Sequence, residues 1–117
     1  MFRRILTLIC TFSLVFFSLP GHTVSEHTEI LNRSEWPQYE NGTNVLALKQ
    51  ITAIVGRFEE NDEVSLEIRY PGGDAGRHWA ETLSKWFVTF GIPIKYQELL
   101  PGSGSVNSLV IAIIDRR

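Results

Sequence analysis

The apolar residues between positions 44 and 60 recur three or four residues apart. They are Leu48, Ile51, Ile54, Val55 and Phe58. This spacing places them on one face of a helix, whereas Lys49 and Arg57 fall on other faces. The pattern therefore predicts an amphipathic helix over residues 44–60, with Thr43 or Asn44 as its N-terminal cap.

Residues 64–70 alternate between apolar and polar side chains. The apolar set is Val64, Leu66, Ile68 and Tyr70. Alternation of this kind is typical of a strand that has one face on the core and the other in water. Proline has no N–H to donate to a sheet and glycine allows positive φ, so Pro71 and the pair Gly72-Gly73 are predicted to end the strand.

A second helix is predicted between Gly73 and Gly91. Asp74 stands where an N-cap is expected, and Gly91 suits the position just after a helix. Six apolar residues recur between them at helical spacing: Trp79, Ala80, Leu83, Trp86, Phe87 and Phe90. An aromatic stripe of this kind belongs more often to a core than to a ligand platform, so we expect it to face the sheet.

Two further strands are predicted at residues 94–100 and 109–114, separated by the glycine-containing segment 101–107. The second of these strands is apolar without alternation, which is typical of a strand inside a sheet with both faces covered or nearly so. The fold class is therefore a small single α+β domain over residues 44–117, in the order α-β-α-β-β, with a three-stranded mixed sheet packed against two helices. Residues 26–43 lack a sustained period and are predicted to form an extended or flexible lead.

The N-terminus predicts export. Arg3 and Arg4 precede an uncharged run at residues 5–19, and residues 20–25 offer small or polar positions for cleavage. A run of about fifteen residues is short for a membrane span. We therefore predict a signal peptide over residues 1–25 and a periplasmic or secreted chain. The alternative is an uncleaved inner-membrane anchor at residues 5–19, which would be the only contact with a membrane.

The composition narrows the functional class. The single cysteine, Cys10, lies inside the predicted signal, so the mature chain would have no thiol for a disulfide, a nucleophile or a metal site. The chain has 11 Lys and Arg against 13 Asp and Glu and a formal net charge of −2, and removal of Arg3 and Arg4 would make it more acidic. Nucleic-acid binding normally needs a basic patch, so no nucleic-acid partner is predicted.

The predicted topology brings two glycine-containing segments together. A strand, a helix and a second strand joined by short links form a right-handed crossover with parallel strands. The segments 70–79 (YPGGDAGRHW) and 101–107 (PGSGSVN) then leave their strands at one edge, which ligands of open α/β sheets favour. The candidate binding residues are the glycines and polar residues of both segments: Gly72, Gly73, Asp74, Arg77, His78, Ser103 and Ser105.

Three interpretations of this edge stay open. It could be a plain strand-to-helix turn, because Asp74 already supplies the negative charge that a helix start favours and no phosphate-binding loop pattern is present. It could be a binding surface. It could also belong to a small hydrolase in which His78 activates Ser103 or Ser105, although neither serine stands in a nucleophile-elbow pattern.

No metal ion or cofactor is predicted. A metal site at His78 would need a second strong ligand nearby. The other histidines, His22 and His27, stand close to the predicted cleavage region.

The stretch from Glu63 to Gly104 resembles in outline the β-α-β core of OmpA-like domains, which bind peptidoglycan in bacterial envelopes. In both, a strand and a glycine-containing loop lead into a helix that ends before a turn like Gly91-Ile92-Pro93. The resemblance implies an exported α/β domain with Asp74 and Arg77 near the ligand. The signature motifs of that family are absent, and these two residues are only three positions apart.

These observations lead to one principal hypothesis. The chain is expected to be a non-catalytic binding or assembly module of a bacterial envelope or secretion system, with another envelope protein or a cell-wall polymer as its partner. A peptidoglycan-binding domain and the small hydrolase are the alternatives.

Overall fold

Four strands form one mixed sheet in the computed structural model, which describes residues 27–61 and 63–116. The strands are β1 (His27–Asn32), β2 (Val64–Tyr70), β3 (Gln97–Pro101) and β4 (Ser108–Asp115). Their order across the sheet is β1-β4-β2-β3. Strand β4 pairs antiparallel with both of its neighbours, whereas β2 and β3 are parallel.

The predicted parallel pairing of the strands before and after α3 is confirmed. Strands β2 and β3 pair from Leu66 opposite Gln97 to Tyr70 opposite Pro101, so both end at the same edge of the sheet. Beyond that point the backbone N–H of Gly102 donates a hydrogen bond to the carbonyl oxygen of Tyr70 at 2.9 Å. The two glycine-containing segments therefore meet in space.

The sheet has four strands, so the prediction of three was wrong. The additional strand is β1, which lies within the residues predicted as an extended or flexible lead and pairs with β4 along its whole length. Only Leu31 of β1 is fully buried, because the strand lies at the edge of the sheet. Its sequence therefore lacks the alternation that identifies a half-buried strand.

Three α-helices are present among the described residues, where two were predicted. They are α1 (Gly42–Leu46), α2 (Lys49–Glu60) and α3 (Asp74–Thr89), and short 3-10 turns occupy Arg33–Glu35 and Ile94–Tyr96. The expected helix over residues 44–60 is broken at Leu48, whose backbone is extended.

The caps also differ from the prediction. The side chain of Asn41, instead of Thr43 or Asn44, caps α1 by accepting a hydrogen bond from the N–H of Asn44 at 2.7 Å. Gly73 is the N-cap of α3 with a φ of 99°, and Asp74 lies in the first turn. Glycine adopts this positive φ without steric cost, so it takes the position expected for Asp74.

Helices α2 and α3 pack on one face of the sheet. Leu66 and Ile68 of β2 and Ile111 of β4 face them, and all three are almost fully buried. The core residues that the two helices contribute are Ile51, Ile54, Val55 and Phe58 from α2 and Trp79, Ala80, Leu83 and Phe87 from α3. Both predicted amphipathic faces are therefore the core faces.

The side chain of Gln97 fastens β3 to α3. It accepts a hydrogen bond from the hydroxyl of Ser84 at 2.6 Å and donates one to the carbonyl oxygen of Ile92 at 3.1 Å. Ser84 is buried, so its hydroxyl needs such a partner.

The predicted signal peptide over residues 1–25, with its alternative as an anchor at residues 5–19, lies outside the described residues. Within the described part of the chain, no helix has both the length and the apolar character that a membrane span requires.

The turn between β2 and α3 is tight at one point. A Cβ atom placed on Gly76 would lie 2.1 Å from the carbonyl oxygen of Pro71. The first turn of α3 therefore rests directly on the backbone of the turn, which only glycine at position 76 permits.

We expect Gly76→Ala to lower the free energy of unfolding by about 2 kcal/mol or more, because backbone must shift to admit the methyl group. Gly56→Ala is the matched control, since Gly56 lies inside α2 with nothing within 4 Å of an added Cβ. It should raise stability by about 0.5–1 kcal/mol through helix propensity and lower unfolded-state entropy. Urea denaturation of both variants checks this, and equal effects would contradict the close approach.

Candidate functional site

An open cavity of about 480 Å³ lies where residues 33–40 cross the start of α3. We call it the α3 cavity. One wall carries Arg33, Trp36 and Glu40, and the other carries His78 and Trp79 of α3. Its volume falls within the range of about 300–1,000 Å³ that is usual for ligand pockets.

The rim of the α3 cavity comes from the two converging segments. Pro71 and Gly72 follow β2, and Val106 follows β3. Val106 is 78% exposed. Pro71 is buried and Gly72 has no side chain, so the accessible apolar group of the rim is Val106.

Hydrogen bonds fix the beginning of the segment that crosses α3. The backbone N–H of Arg33 donates to the carbonyl oxygen of Asn107 at 2.7 Å, which ties this segment to the loop before β4. Gln50 of α2 is buried, and its amide donates to Glu35 at 2.9 Å and to the carbonyl oxygen of Ile30 at 3.0 Å. The bond to Ile30 also satisfies a backbone carbonyl oxygen of the edge strand β1.

The end of the same segment is held by α3 and α1. The indole N–H of Trp86 donates to a carboxylate oxygen of Glu40 at 2.6 Å. The side-chain amide of Asn44 donates to the carbonyl oxygen of Tyr39 at 2.8 Å. Residues 33–40 are thus attached to the domain at both ends, and the cavity wall they form is preorganised.

An aromatic stack forms the inner surface of the α3 cavity. The ring of Trp36 meets that of Trp79 edge to face, with centroids 6.1 Å apart and planes at 80°. The guanidinium carbon of Arg33 lies 4.1 Å from the centroid of the Trp79 ring. Each such contact typically contributes about 0.5–1.5 kcal/mol, so the three side chains hold one another in place.

Two hydrogen-bond donors of this stack have no acceptor among the described residues. The indole nitrogen of Trp79 is buried without a partner. The exposed guanidinium of Arg33 forms none of the ion pairs or side-chain hydrogen bonds found in the described part of the chain. The carboxylate that lines the cavity, Glu40, already accepts from Trp86. Of these two donors, the guanidinium of Arg33 is the one that a ligand can reach.

A smaller cavity of about 380 Å³ continues along α3. It shares Glu40 and Thr82 with the α3 cavity and is bordered by Lys85 and Trp86. Together the two cavities form a groove along α3 that all three tryptophans of the chain border.

The structure brings only some of the predicted site residues to this groove. Gly72 and His78 line the α3 cavity. Gly73 caps α3, and Asp74 is exposed at its start. Arg77 pairs with Glu81 one turn along the helix at 3.3 Å, and it does not line the cavity.

Ser103 and Ser105 are used within their own loop. The hydroxyl of Ser103 donates to the carbonyl oxygen of Ser105 at 2.7 Å, and the hydroxyl oxygen of Ser105 accepts from the N–H of Asn107 at 3.1 Å. Neither serine is among the residues that line the cavity with His78. These hydrogen bonds stabilise the conformation of the loop that contains both serines.

Sequence reasoning missed Arg33, Trp36, Glu40 and Val106. The first three lie in the segment predicted to be extended or flexible. A tryptophan beside a proline in a polar segment was the available signal, because tryptophan is rarely left fully exposed. Trp36 is in fact half-buried against the core.

Within residues 27–61 and 63–116, no group of three or more metal-ligating side chains is assembled. A scan against protein-family models and a search of curated proteins both give no match.

We expect Trp36→Ala to lower the free energy of unfolding by about 1–3 kcal/mol, because it removes the edge-to-face contact with Trp79 and part of the cover of the core. Tyr39→Ala is the control from the same segment, since Tyr39 is 77% exposed, and it should change stability by less than about 0.5 kcal/mol. Urea denaturation measures both. Equal stabilities would mean that the segment does not pack on α3.

Proposed function

We propose that this chain is a small exported binding or assembly module of a bacterial envelope or secretion system, that it is non-catalytic, and that it holds its partner in the groove along α3. The observation that carries the proposal is the stack of Arg33, Trp36 and Trp79, which joins the two walls of the cavity beside the exposed side chain of Val106. Residues that are already ordered lose little conformational entropy when a partner binds.

The composition of the groove favours a protein partner. Tryptophan and arginine are the residue types most enriched at the energetic centres of protein interfaces. Here two tryptophans and one arginine are in mutual contact, and the 78% exposed Val106 stands at their edge. A partner side chain in the α3 cavity would contact the half-buried ring of Trp36 and the exposed side chain of Val106.

The polar groups around His78 support binding better than catalysis. His78 is exposed at the cavity, but the candidate nucleophiles Ser103 and Ser105 have their hydroxyls engaged within their loop. A nucleophile needs a general base within hydrogen-bond reach, and Ser103 and Ser105 bond instead to backbone groups of their own loop.

We expect Val106→Asp to lower recovery of the partner at least tenfold when the tagged chain is captured from the envelope fraction of its own cells, because it places a charge on the apolar rim. Ile94→Asp is the matched control, since Ile94 is 61% exposed and does not line the groove. Quantitative mass spectrometry of the captured proteins compares the two.

The mass of the chain from the same fraction tests whether residues 1–25 are removed.

Two results would contradict the proposal. Equal recovery with Val106→Asp and the unmodified chain would exclude the groove as the interface. Cosedimentation with purified peptidoglycan that is lost in an Asp74→Ala, Arg77→Ala double variant would instead support the cell-wall-binding alternative.

A further inference from the structure

The α3 cavity has an imbalance of hydrogen-bonding groups that bears on its ligand. The guanidinium of Arg33 is stacked on Trp79, so the ring covers one of its faces. The N–H groups at its edge can still donate hydrogen bonds to a ligand. The indole N–H of Trp79 is buried without an acceptor in the described part of the chain. This nitrogen is too enclosed for a ligand to reach, so the exposed N–H edge of Arg33 is the donor of the stack that a ligand would meet.

The stack also makes Arg33 a better anion site than a free arginine on the surface. Its side chain is held in place by the ring below it and by the backbone bond from Arg33 to Asn107. Its planar edge matches a carboxylate, which can accept two parallel hydrogen bonds. Less entropy is lost on binding because the geometry exists beforehand.

The surrounding charges select among anions. Glu40 lies in the cavity wall, and the carboxylate of Asp74 is exposed at the nearby start of α3. The single guanidinium of Arg33 can neutralise a singly charged carboxylate, whereas a dianion such as a phosphate monoester would keep an unpaired charge beside these two acidic groups. Charge complementarity therefore favours a carboxylate over a phosphate.

The rest of the cavity favours an apolar group next to the charge. Trp36 presents apolar surface at the wall and Val106 at the rim. A side chain of the size of leucine would remove part of this surface from water.

We infer that the ligand of the α3 cavity is a peptide segment in which a carboxylate lies next to an apolar side chain, with the carboxylate bound by Arg33 and the apolar group placed against Trp36 and Val106. This inference rests on the proposed function and adds the chemical class of the partner segment.

The test uses the protein as the cell processes it, labelled with ¹⁵N, and follows the indole N–H signals of its three tryptophans. N-acetylleucine is the first probe, and N-acetylleucinamide is its uncharged counterpart. We expect N-acetylleucine to shift the signals of Trp36 and Trp79 with a dissociation constant on the order of millimolar, and the amide to bind at least tenfold more weakly.

Two further probes identify the source of the carboxylate and the type of anion. Acetyl-Leu-Glu-amide carries its carboxylate on a side chain, and tighter binding of this probe than of N-acetylleucine indicates an internal acidic segment, whereas the reverse order indicates a chain terminus. Isobutyl phosphate should bind more weakly than N-acetylleucine. If it binds more tightly, the assignment of a carboxylate is wrong.

Arg33→Gln should weaken binding of N-acetylleucine about tenfold or more, because it removes the charged donor. Arg33→Lys keeps the charge without the planar edge and should give an intermediate loss, which separates recognition from a simple change in folding. Arg57→Gln, at an exposed position of α2, is the charge-matched control and should bind as the unmodified chain does.

The inference is overturned if N-acetylleucine leaves the signals of Trp36 and Trp79 unchanged, if the amide binds as tightly, or if Arg33→Gln binds normally. In any of these cases, loss of partner capture by Val106→Asp would leave the binding function intact with a different ligand class. Normal capture by Val106→Asp would instead exclude the groove as the partner interface.

Discussion

The contact between the carbonyl oxygen of Pro71 and Gly76 sets the position of α3 relative to the sheet. Without a side chain at position 76, the first turn of the helix rests on the backbone that leaves β2. This contact sets the position of α3 at which Trp79 is buried in the core. The preceding residue, His78, then lies exposed at the surface. The inner wall of the α3 cavity depends on that placement, because a shift of the helix would separate Trp79 from the side chains that stack on it.

The second wall depends on long-range contacts. Residues 33–40 have no regular structure beyond a single 3-10 turn, and they stay in place because Asn107, Gln50 and Trp86 bind them from three different elements. The stack of Arg33, Trp36 and Trp79 joins this segment to α3. The same contacts that complete the core at this end of the molecule therefore also form the groove.

Strands and helices that have a hydrophobic periodicity within their own residues could be predicted from the sequence. The alternation of β2 and the helical spacing of α3 gave their bounds to within a residue or two. The parallel pairing of β2 with β3 followed from the strand-helix-strand order and its short links. Strand β1 could not be predicted, because an edge strand with only Leu31 buried gains its stability from β4, about eighty residues later. The N-cap of α3 was misplaced by one residue because Gly73 can adopt the φ of 99° that the turn requires.

The candidate site was predictable only in part for the same reason. Gly72 and His78 lie on the side of the cavity formed by the crossover, whose topology the sequence predicts. Arg33, Trp36 and Glu40 reach the cavity through contacts between residues that are far apart in the chain, such as Glu40 with Trp86. No periodicity marks residues of this kind. A tryptophan in an otherwise polar segment is the one local sign that the segment packs against something.

The most direct measurement is the nuclear Overhauser effect between the indole protons of Trp36 and Trp79, recorded together with the chemical shifts of the Arg33 side chain. The edge-to-face geometry at 6.1 Å predicts cross-peaks between the two rings, and the position of Arg33 above Trp79 predicts upfield ring-current shifts for its side-chain protons. Absence of these cross-peaks, with Arg33 shifts at the values of an unfolded peptide, would contradict the account, because residues 33–40 would then not form a wall of the groove.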